Sequence, residues 1–269
     1  MTKPQIMLDG LAFGESPRWH EGRLWFCNWG TQEVIALGPD GAAEVVTRIP
    51  TTIPYSIDWL PDGRMLAVSG QEALVLRREP DGSLVTHADL SAIDSVFNEI
   101  VVDGRGNAYV NGSVIALVTA DGTARPVADG LEFGNGMAVT PDNSTLIVAE
   151  SHGNRLTAFD IGPGGGLSGR RVWADLPGGF PDGICLDADG AVWYGDVPNK
   201  QCVRVAEGGR VLQTVALDRA CFACMLGGPE GRTLFLLAAE WRGMEHMMSP
   251  GRTGQVLAVR VASQRAGWP

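Results

Sequence analysis

The sequence predicts an all-β chain folded as a six-bladed β-propeller closed by its N-terminal strand, and three observations carry that prediction. Short apolar runs alternate with turns of the Asp-Gly or Glu-Gly kind, supplied from a pool of 36 glycines in 269 residues, which is how β-hairpins are written. Helical periodicity is almost absent. One hairpin shape returns six times at a period near 40 residues, the mark of four-stranded blades that bury their faces only against their neighbours.

The elements follow in order. The first blade is SPRWHEGRLWFCNW (16–29) with the more polar VIALGPDGAAEVV (34–46), and the second is SIDWLPDGRMLAVSG (56–70) with LVLRREPDGSLVT (74–86). NEIVVDGRGNAYVNG (98–112) and IALVTADGTARPVA (115–128) make the third, NGMAVTPDNSTLIVAE (135–150) and LTAFDIGPGGGLSGRRVWA (156–174) the fourth. The fifth is DGICLDADGAVWYGD (182–196) with CVRVAEGGRVLQTVA (202–216). The first hairpin of each blade turns at Gly22, Gly63, Gly106, Asn143, Gly190 and Gly231, at intervals of 41, 43, 37, 47 and 41 residues. The sixth blade, ACMLGGPEGRTLFLLAAE (223–240), has only GQVLAVRVA (254–262) after it and lacks one strand. PQIMLDGLA (4–12) is the natural donor of that outermost strand, joining first and last blades. No linker interrupts the pattern, so residues 1–269 are expected to form a single domain.

Composition narrows the function. Hydrophobic residues make up 45% of the chain and charged residues 19%, enough for a buried core. A formal net charge of −10 repels phosphate backbones and anionic lipid, which argues against nucleic-acid and membrane partners. No window approaches the apolar length of a membrane span, and Asp9 falls where a signal peptide would be apolar. Cys27, Cys185, Cys202, Cys221 and Cys224 are an odd number in a chain large enough to fold without disulfides. A cytoplasmic protein with free thiols, a small-molecule substrate and no obligate protein partner is expected.

A propeller gathers the starts of its innermost strands around one mouth of the central channel. Counting back seven or eight residues from each turn finds Glu15, Ser56, Asn98, Asn135, Asp182 and Ala223. Four of these, Glu15, Asn98, Asn135 and Asp182, offer side-chain oxygens from carboxylates or amides. Two carboxylates brought together repel unless a cation sits between them. Such hard donors suit one divalent cation, Ca²⁺ first, with Mg²⁺, Mn²⁺ or Zn²⁺ as alternatives. The competing view is that Asn, Asp and Ser merely cap turns at strand starts, where they are common.

At this point GESPRW (14–19), FNEIVVDGRGNAYV (97–110), GNGMAVTPDNSTLIVAES (134–151) and FPDGICLDADGAVW (180–193) resemble the four metal-site segments of the senescence-marker-protein/gluconolactonase/luciferin-regenerating-enzyme family. Order and spacing match along nearly the full chain. The resemblance implies a six-bladed propeller with a divalent cation in its channel, Glu15, Asn135 and Asp182 as direct ligands, and Asn98 as a ligand directly or through water. Family lactonases acting on sugar acids usually carry Arg two residues before the asparagine that Asn98 matches. Val96 stands there and argues against a polar sugar acid as substrate.

Aromatic residues fall one or two positions before the ring residues: Phe13, Tyr55, Phe97, Phe133, Phe180 and Phe222. They are candidates for a less polar ligand's contacts, with packing between blades as the alternative role. Hairpin geometry returns the end of each second strand to the same face, placing a second ring of Asn28, Ser69, Asn111, Glu150, Asp196 and Glu240 nearby. Val96, Phe97, Asn111, Phe133, Glu150, His152, Phe180, Asp196 and Glu240 are therefore the candidate substrate contacts.

The expected chemistry is hydrolysis of a lactone or ester, with the cation polarising the carbonyl, water attacking, and Asp182 taking the proton. A phosphotriester makes similar demands on the same apparatus. The reading from another class is a non-enzymatic propeller that binds proteins on its flat face. His20, His87, His152 and His246 are too scattered in the repeat for a three-histidine zinc site. Cys221 and Cys224 have a metal- or redox-like spacing but no second pair in register, which favours inert packing.

Overall fold

Each apolar run becomes a strand and each glycine-marked turn reverses it. The six turn markers all adopt left-handed backbone, with φ between 57° and 85°, where a Cβ is disfavoured and glycine is free. Asn143 is the one marker that is not glycine, and asparagine is the side chain that best tolerates that region.

The computed structural model describes residues 3–243 and 251–269, so His246 lies outside the described residues. The described residues hold 24 β-strands in six four-stranded antiparallel sheets, the blades of a propeller. Blade 1 is β2 to β5 (Gly14–His20, Arg23–Asn28, Glu33–Leu37, Ala43–Arg48), and blade 2 is β6 to β9 (Tyr55–Trp59, Met65–Ser69, Leu74–Arg78, Leu84–Asp89). Blade 3 is β10 to β13 (Glu99–Val102, Ala108–Asn111, Ile115–Val118, Ala124–Ala128). Blade 4 is β14 to β17 (Gly134–Val139, Thr145–Glu150, Arg155–Ile161, Leu167–Asp175), and blade 5 is β18 to β21 (Pro181–Leu186, Val192–Asp196, Gln201–Val205, Val211–Ala216). Blade 6 comprises β22 (Ala220–Gly227), β23 (Thr233–Ala239), β24 (Gly254–Arg260) and, outermost, β1 (Gln5–Leu11). The N-terminal strand therefore closes the ring as the sequence predicts, pairing antiparallel with β24 through Gln5 and Ala258, Ile6 and Leu257, and Leu8 and Val256.

Burial falls from the axis outward. The second strands β7, β11 and β19 are buried along their whole length, whereas β5 and β21 keep exposed residues on their outer positions. The core lies between blades. One apolar cluster joins Leu24 and Phe26 of blade 1, Met225 and Leu236 of blade 6, and Trp193 of blade 5. Among the described residues no helix is long and apolar enough to cross a membrane.

The inner strands meet near the axis in two different ways. In blades 4 to 6, backbone packs on backbone: a Cβ on Gly136 would stand 2.5 Å from the Asp182 carbonyl oxygen and 2.6 Å from the Ile184 nitrogen, and one on Gly183 would stand 2.5 Å from the Ala223 Cβ. In blades 1 to 3, buried polar side chains tie the strands. Ser16 Oγ accepts the Ile57 N–H at 3.1 Å, and Arg18 reaches across to Glu99 and Asp58.

The last residues have a part that the strand pattern did not announce. Arg265 N–H donates to Gly231 O at 2.7 Å, Ala188 N–H to Gln264 O at 2.7 Å, and Val139 and Trp268 exchange bonds of 2.7 and 2.9 Å. The C-terminal segment thereby laces the inner turns of blades 6, 5 and 4 together, at the end of the channel opposite the strand starts.

The glycine contact generates a direct test. Gly136→Ala forces the inner strands of blades 4 and 5 apart and should destabilise the chain by about 1–3 kcal/mol, whereas Gly164→Ala, where an added Cβ meets nothing within 4 Å, should cost less. Chemical denaturation of the two variants beside the parent checks it.

Candidate active site

The fold brings the predicted first ring to one end of the channel. Glu15, Ser56, Asn135, Asp182 and Ala223 lie near the starts of β2, β6, β14, β18 and β22, and Asn98 immediately precedes β10. A local irregularity separates the candidates further. The pairing of inner and second strands slips between Glu15 and Arg18, between Gly134 and Met137, and between Pro181 and Ile184, whereas blades 2 and 3 pair without interruption. A bulge re-aims the side chains within it, so Glu15, Asn135 and Asp182 share a feature that Ser56 and Asn98 lack. In blade 1 the bulge is carried by Ser16, held at φ 51° with its side chain buried.

Burial and neighbouring negative charge raise the proton affinity of both Glu15 and Asp182. Burial, then the charges of Asp182 and Glu99, push the Glu15 carboxyl well above its ordinary range, against the opposing pull of the Ser16 N–H and Arg18. Burial, followed by the Glu99 charge, pushes Asp182 up to about 8 in spite of a hydrogen bond with Asn135. Neither carboxylate forms a salt bridge with a basic side chain among the described residues. Asn98 Nδ2 donates to Asn135 Oδ1 at 3.4 Å, and Asn135 Nδ2 to Ser151 Oγ at 3.4 Å. The four oxygen-bearing candidates of the first ring are thus linked, directly or through their charges.

The arrangement fits a hard cation on its own terms. Glu15 is buried and Asp182 partly so; Asp182 and Glu99 raise the proton affinity of Glu15, neither Glu15 nor Asp182 forms a salt bridge with a basic side chain among the described residues, and two amides stand beside them. Among the described residues no three His, Cys, Asp or Glu side chains gather closely enough to hold an ion by themselves. A cation here therefore needs the amide oxygens of Asn98 and Asn135 beside Glu15 and Asp182, a donor set suited to calcium-like ions rather than to a thiophilic metal.

The second ring does different work from that expected. Asn28 Oδ1 accepts the N–H groups of Ala12 and Phe13 at 3.1 Å, and Asn111 Oδ1 accepts the Glu99 N–H at 3.1 Å. Glu150 Oε2 accepts the Glu132 N–H at 2.7 Å, and Asp196 Oδ1 the Phe180 N–H at 3.1 Å. One side chain in each of four blades thus anchors the backbone leading into its own inner strand. Asn111, Glu150 and Asp196 are buried, so they hold loops and are removed from the substrate contacts. Asn111 Nδ2 also donates to Asn135 O at 2.6 Å, which fixes that candidate ligand from the neighbouring blade. Glu240 lies just past β23, exposed and paired with Arg242 at 2.5 Å.

The aromatic candidates divide as well. Phe13, Tyr55, Phe97 and Phe222 are buried: Phe13 stacks on Trp29 at 5.7 Å and meets Phe222 edge-on at 4.4 Å, and Phe97 is fully enclosed in the core of blades 2 and 3. Phe97 is therefore a packing residue and not a substrate contact. Phe133 and Phe180 remain 50% and 40% exposed, Val96 38%. Each of the three lies two residues before a ring oxygen donor. Phe133 has a left-handed φ of 62° and stacks on His152 at 4.5 Å; an exposed aromatic held in strained backbone beside a polar site is a mark of function.

Sequence reasoning missed Arg18, Asp58 and Glu99, which are buried around the channel beside the acidic pair. The signal was present in ESPRW, SIDW and NEIV as charged residues within apolar strands. All five cysteines are free and buried, and burial pushes the thiols of Cys185, Cys202 and Cys224 up, as inert packing requires. A separate cavity of about 320 Å³, lined among others by Thr140, Trp173, Asp187 and Ala266, lies at the opposite end and includes no ring residue.

The loop anchors generate a pH test. Burial alone would raise Glu150, but bonds from Arg155, the Glu132 N–H and Thr157 outweigh it and bring its carboxyl down to about 2. A carboxyl lowered by folding stabilises the fold above its unfolded value, near 4.5, and that contribution is lost as pH falls from there towards 2. Glu150→Gln should lower stability at pH 7 on the order of 2 kcal/mol and flatten the acid limb, as read by denaturation between pH 7 and 2.

Comparison with known proteins agrees with this architecture. Regucalcin of Xenopus laevis is 27% identical over 260 residues, covering 87% of this chain and 85% of that protein. A 6-deoxy-6-sulfogluconolactonase of Pseudomonas putida is 28% identical over 156 residues, 56% of this chain and 54% of the relative. The crystal structure of a calcium-binding regucalcin from Agrobacterium tumefaciens superposes with a TM-score of 0.82 at 18% identity, covering 100% of this chain and 96% of the other. Residues 13–240 match the family described as the SMP-30/Gluconolactonase/LRE-like region. The chain belongs to that family.

Proposed function

We propose that this protein is a divalent-cation-dependent hydrolase of a lactone or carboxylic ester, working at the strand-start end of the channel. The observation that carries the reading is the pair of Glu15, buried, and Asp182, partly buried, with no salt bridge to a basic side chain among the described residues and with two amides beside them. Lactonases among the relatives support the reaction class. Glu15, Asn135 and Asp182 would hold the ion with Asn98 beside them, and Ca²⁺ is the first choice for oxygen donors of this charge, ahead of Mg²⁺, Mn²⁺ and Zn²⁺. Bound there, the ion supplies polarisation of the substrate carbonyl and offsets negative charge growing on its oxygen.

The chain's own residues supply the rest. Asp182 accepts the proton of the attacking water. Water oxygen bonds to the carbonyl carbon, the ring or ester C–O bond breaks, and the proton held by Asp182 passes to the departing alkoxide. Glu15 is chiefly a ligand. Val96, Phe133 and Phe180 form an apolar rim around this polar centre, with His152 stacked on Phe133. That rim favours a substrate carrying an alkyl or aryl group over a polyhydroxylated one.

A panel of sugar lactones, alkyl lactones, aryl esters and phosphotriesters tests the proposal. Turnover should be abolished by a chelator, restored by a divalent ion, reduced about 100-fold or more in Asp182→Asn, and higher for alkyl lactones or aryl esters than for sugar lactones. Unchanged turnover after both chelation and Asp182→Asn would end it.

A further inference from the structure

We propose that Arg18 is a positioning residue that holds Glu99 out of the ion's reach, keeping the site at two coordinating carboxylates with a third close by. The inference rests on the cation reading above.

Arg18 is 4% exposed. Its Nη2 donates to Glu99 Oε1 at 2.9 Å and to Ile100 O at 2.5 Å, its Nη1 donates to Pro17 O at 2.9 Å, and its Nε stands 3.7 Å from Asp58 Oδ2 without a hydrogen-bond partner. Burying a guanidinium costs several kcal/mol before its partners offset the loss, so a residue that leaves one nitrogen unpaired there is badly matched to a purely stabilising role. What it gains is control of Glu99. Oε1 of Glu99 receives three donors: Arg18 Nη2, Ser16 Oγ at 3.1 Å, and the Ile100 N–H at 2.9 Å. Oε2 receives none among the described residues.

Glu99 lies beside the site on both sides. It follows Asn98 in the chain, and its anchor Ser16 follows Glu15. Its charge bears on Glu15 and Asp182 alike. Even so, Glu99 does not join them in a three-carboxylate cluster close enough to grip an ion. Calcium affinity rises with the number of carboxylates that reach the ion, and each added ligand takes a position that a substrate oxygen would use. An arginine that, with Ser16 and the Ile100 N–H, fixes one oxygen of the third carboxylate also fixes where the other can go, leaving its field at the site while holding it away from the ion.

The test is calorimetric titration of chelator-stripped protein with Ca²⁺, comparing the parent with Arg18→Met, Glu99→Gln and the double variant. Arg18→Met should bind Ca²⁺ about tenfold tighter or more with lower turnover, because the released Glu99 joins the ion. The double variant should lose that tightening and match Glu99→Gln. Weaker or unchanged binding in Arg18→Met overturns the proposal. So does tightening that persists in the double variant, since mere loss of a nearby positive charge would then explain it. Glu99→Gln, which preserves shape and the bonds to Oε1, decides the matter if Arg18→Met does not fold. It should keep one ion per chain with affinity reduced less than about tenfold; a loss beyond about 100-fold would make Glu99 a ligand already and overturn the inference. A parent chain that binds no ion sinks the cation reading itself, whereas a parent that binds and variants that behave otherwise sink only the role of Arg18.

Discussion

Carboxylates confined together near the axis of the propeller are the constraint on which the rest of the structure turns. Glu15 and Asp182 come from blades 1 and 5, far apart in sequence, and each is pushed towards its protonated form by burial and by the other acids around it. Folding alone gains nothing from such closeness. The chain accepts it through two features of its inner strands: glycines that let blades 4 to 6 pack backbone on backbone, and bulges that re-aim Glu15, Asn135 and Asp182.

Around that centre the polar residues divide their labour by position. Asn28, Asn111, Glu150 and Asp196, at the ends of second strands, hold the backbone that enters each inner strand, so the site rests on anchored segments rather than on free loops. Preorganisation of this kind limits the ordering that a bound ion or substrate has to impose. The Arg18 network ties blades 1 to 3 in the region where blades 4 to 6 use glycine contacts, and the C-terminal segment secures the far end. Val96, Phe133 and Phe180 give the rim an apolar character that the centre lacks.

The blade plan was legible because a β-hairpin announces itself locally. All six turn markers read from the sequence have left-handed backbone, and the strand missing from blade 6 is the N-terminal one. Position in the repeat also located the four oxygen donors, since equivalent residues of successive blades occupy equivalent places on the axis. Function within the second ring was not legible: a side chain at a strand end looks alike whether it faces a ligand or an N–H group, and only burial with bonding partners separates Asp196 from a substrate contact. Phe97 stands one residue before its ring position and Phe133 two before its own; the first is enclosed and the second half-exposed. Arg18 and Glu99 escaped because their meaning arises across blades, 81 residues apart in the chain. The C-terminal segment has too little apolar periodicity to show what it laces together.

The most direct measurement of the central claim is the metal content of the purified native chain by elemental analysis after exhaustive dialysis against metal-free buffer. The account predicts about one tightly held divalent ion per chain in the parent and its loss when Glu15 is replaced by Gln. A natively folded parent that retains no divalent ion would contradict it.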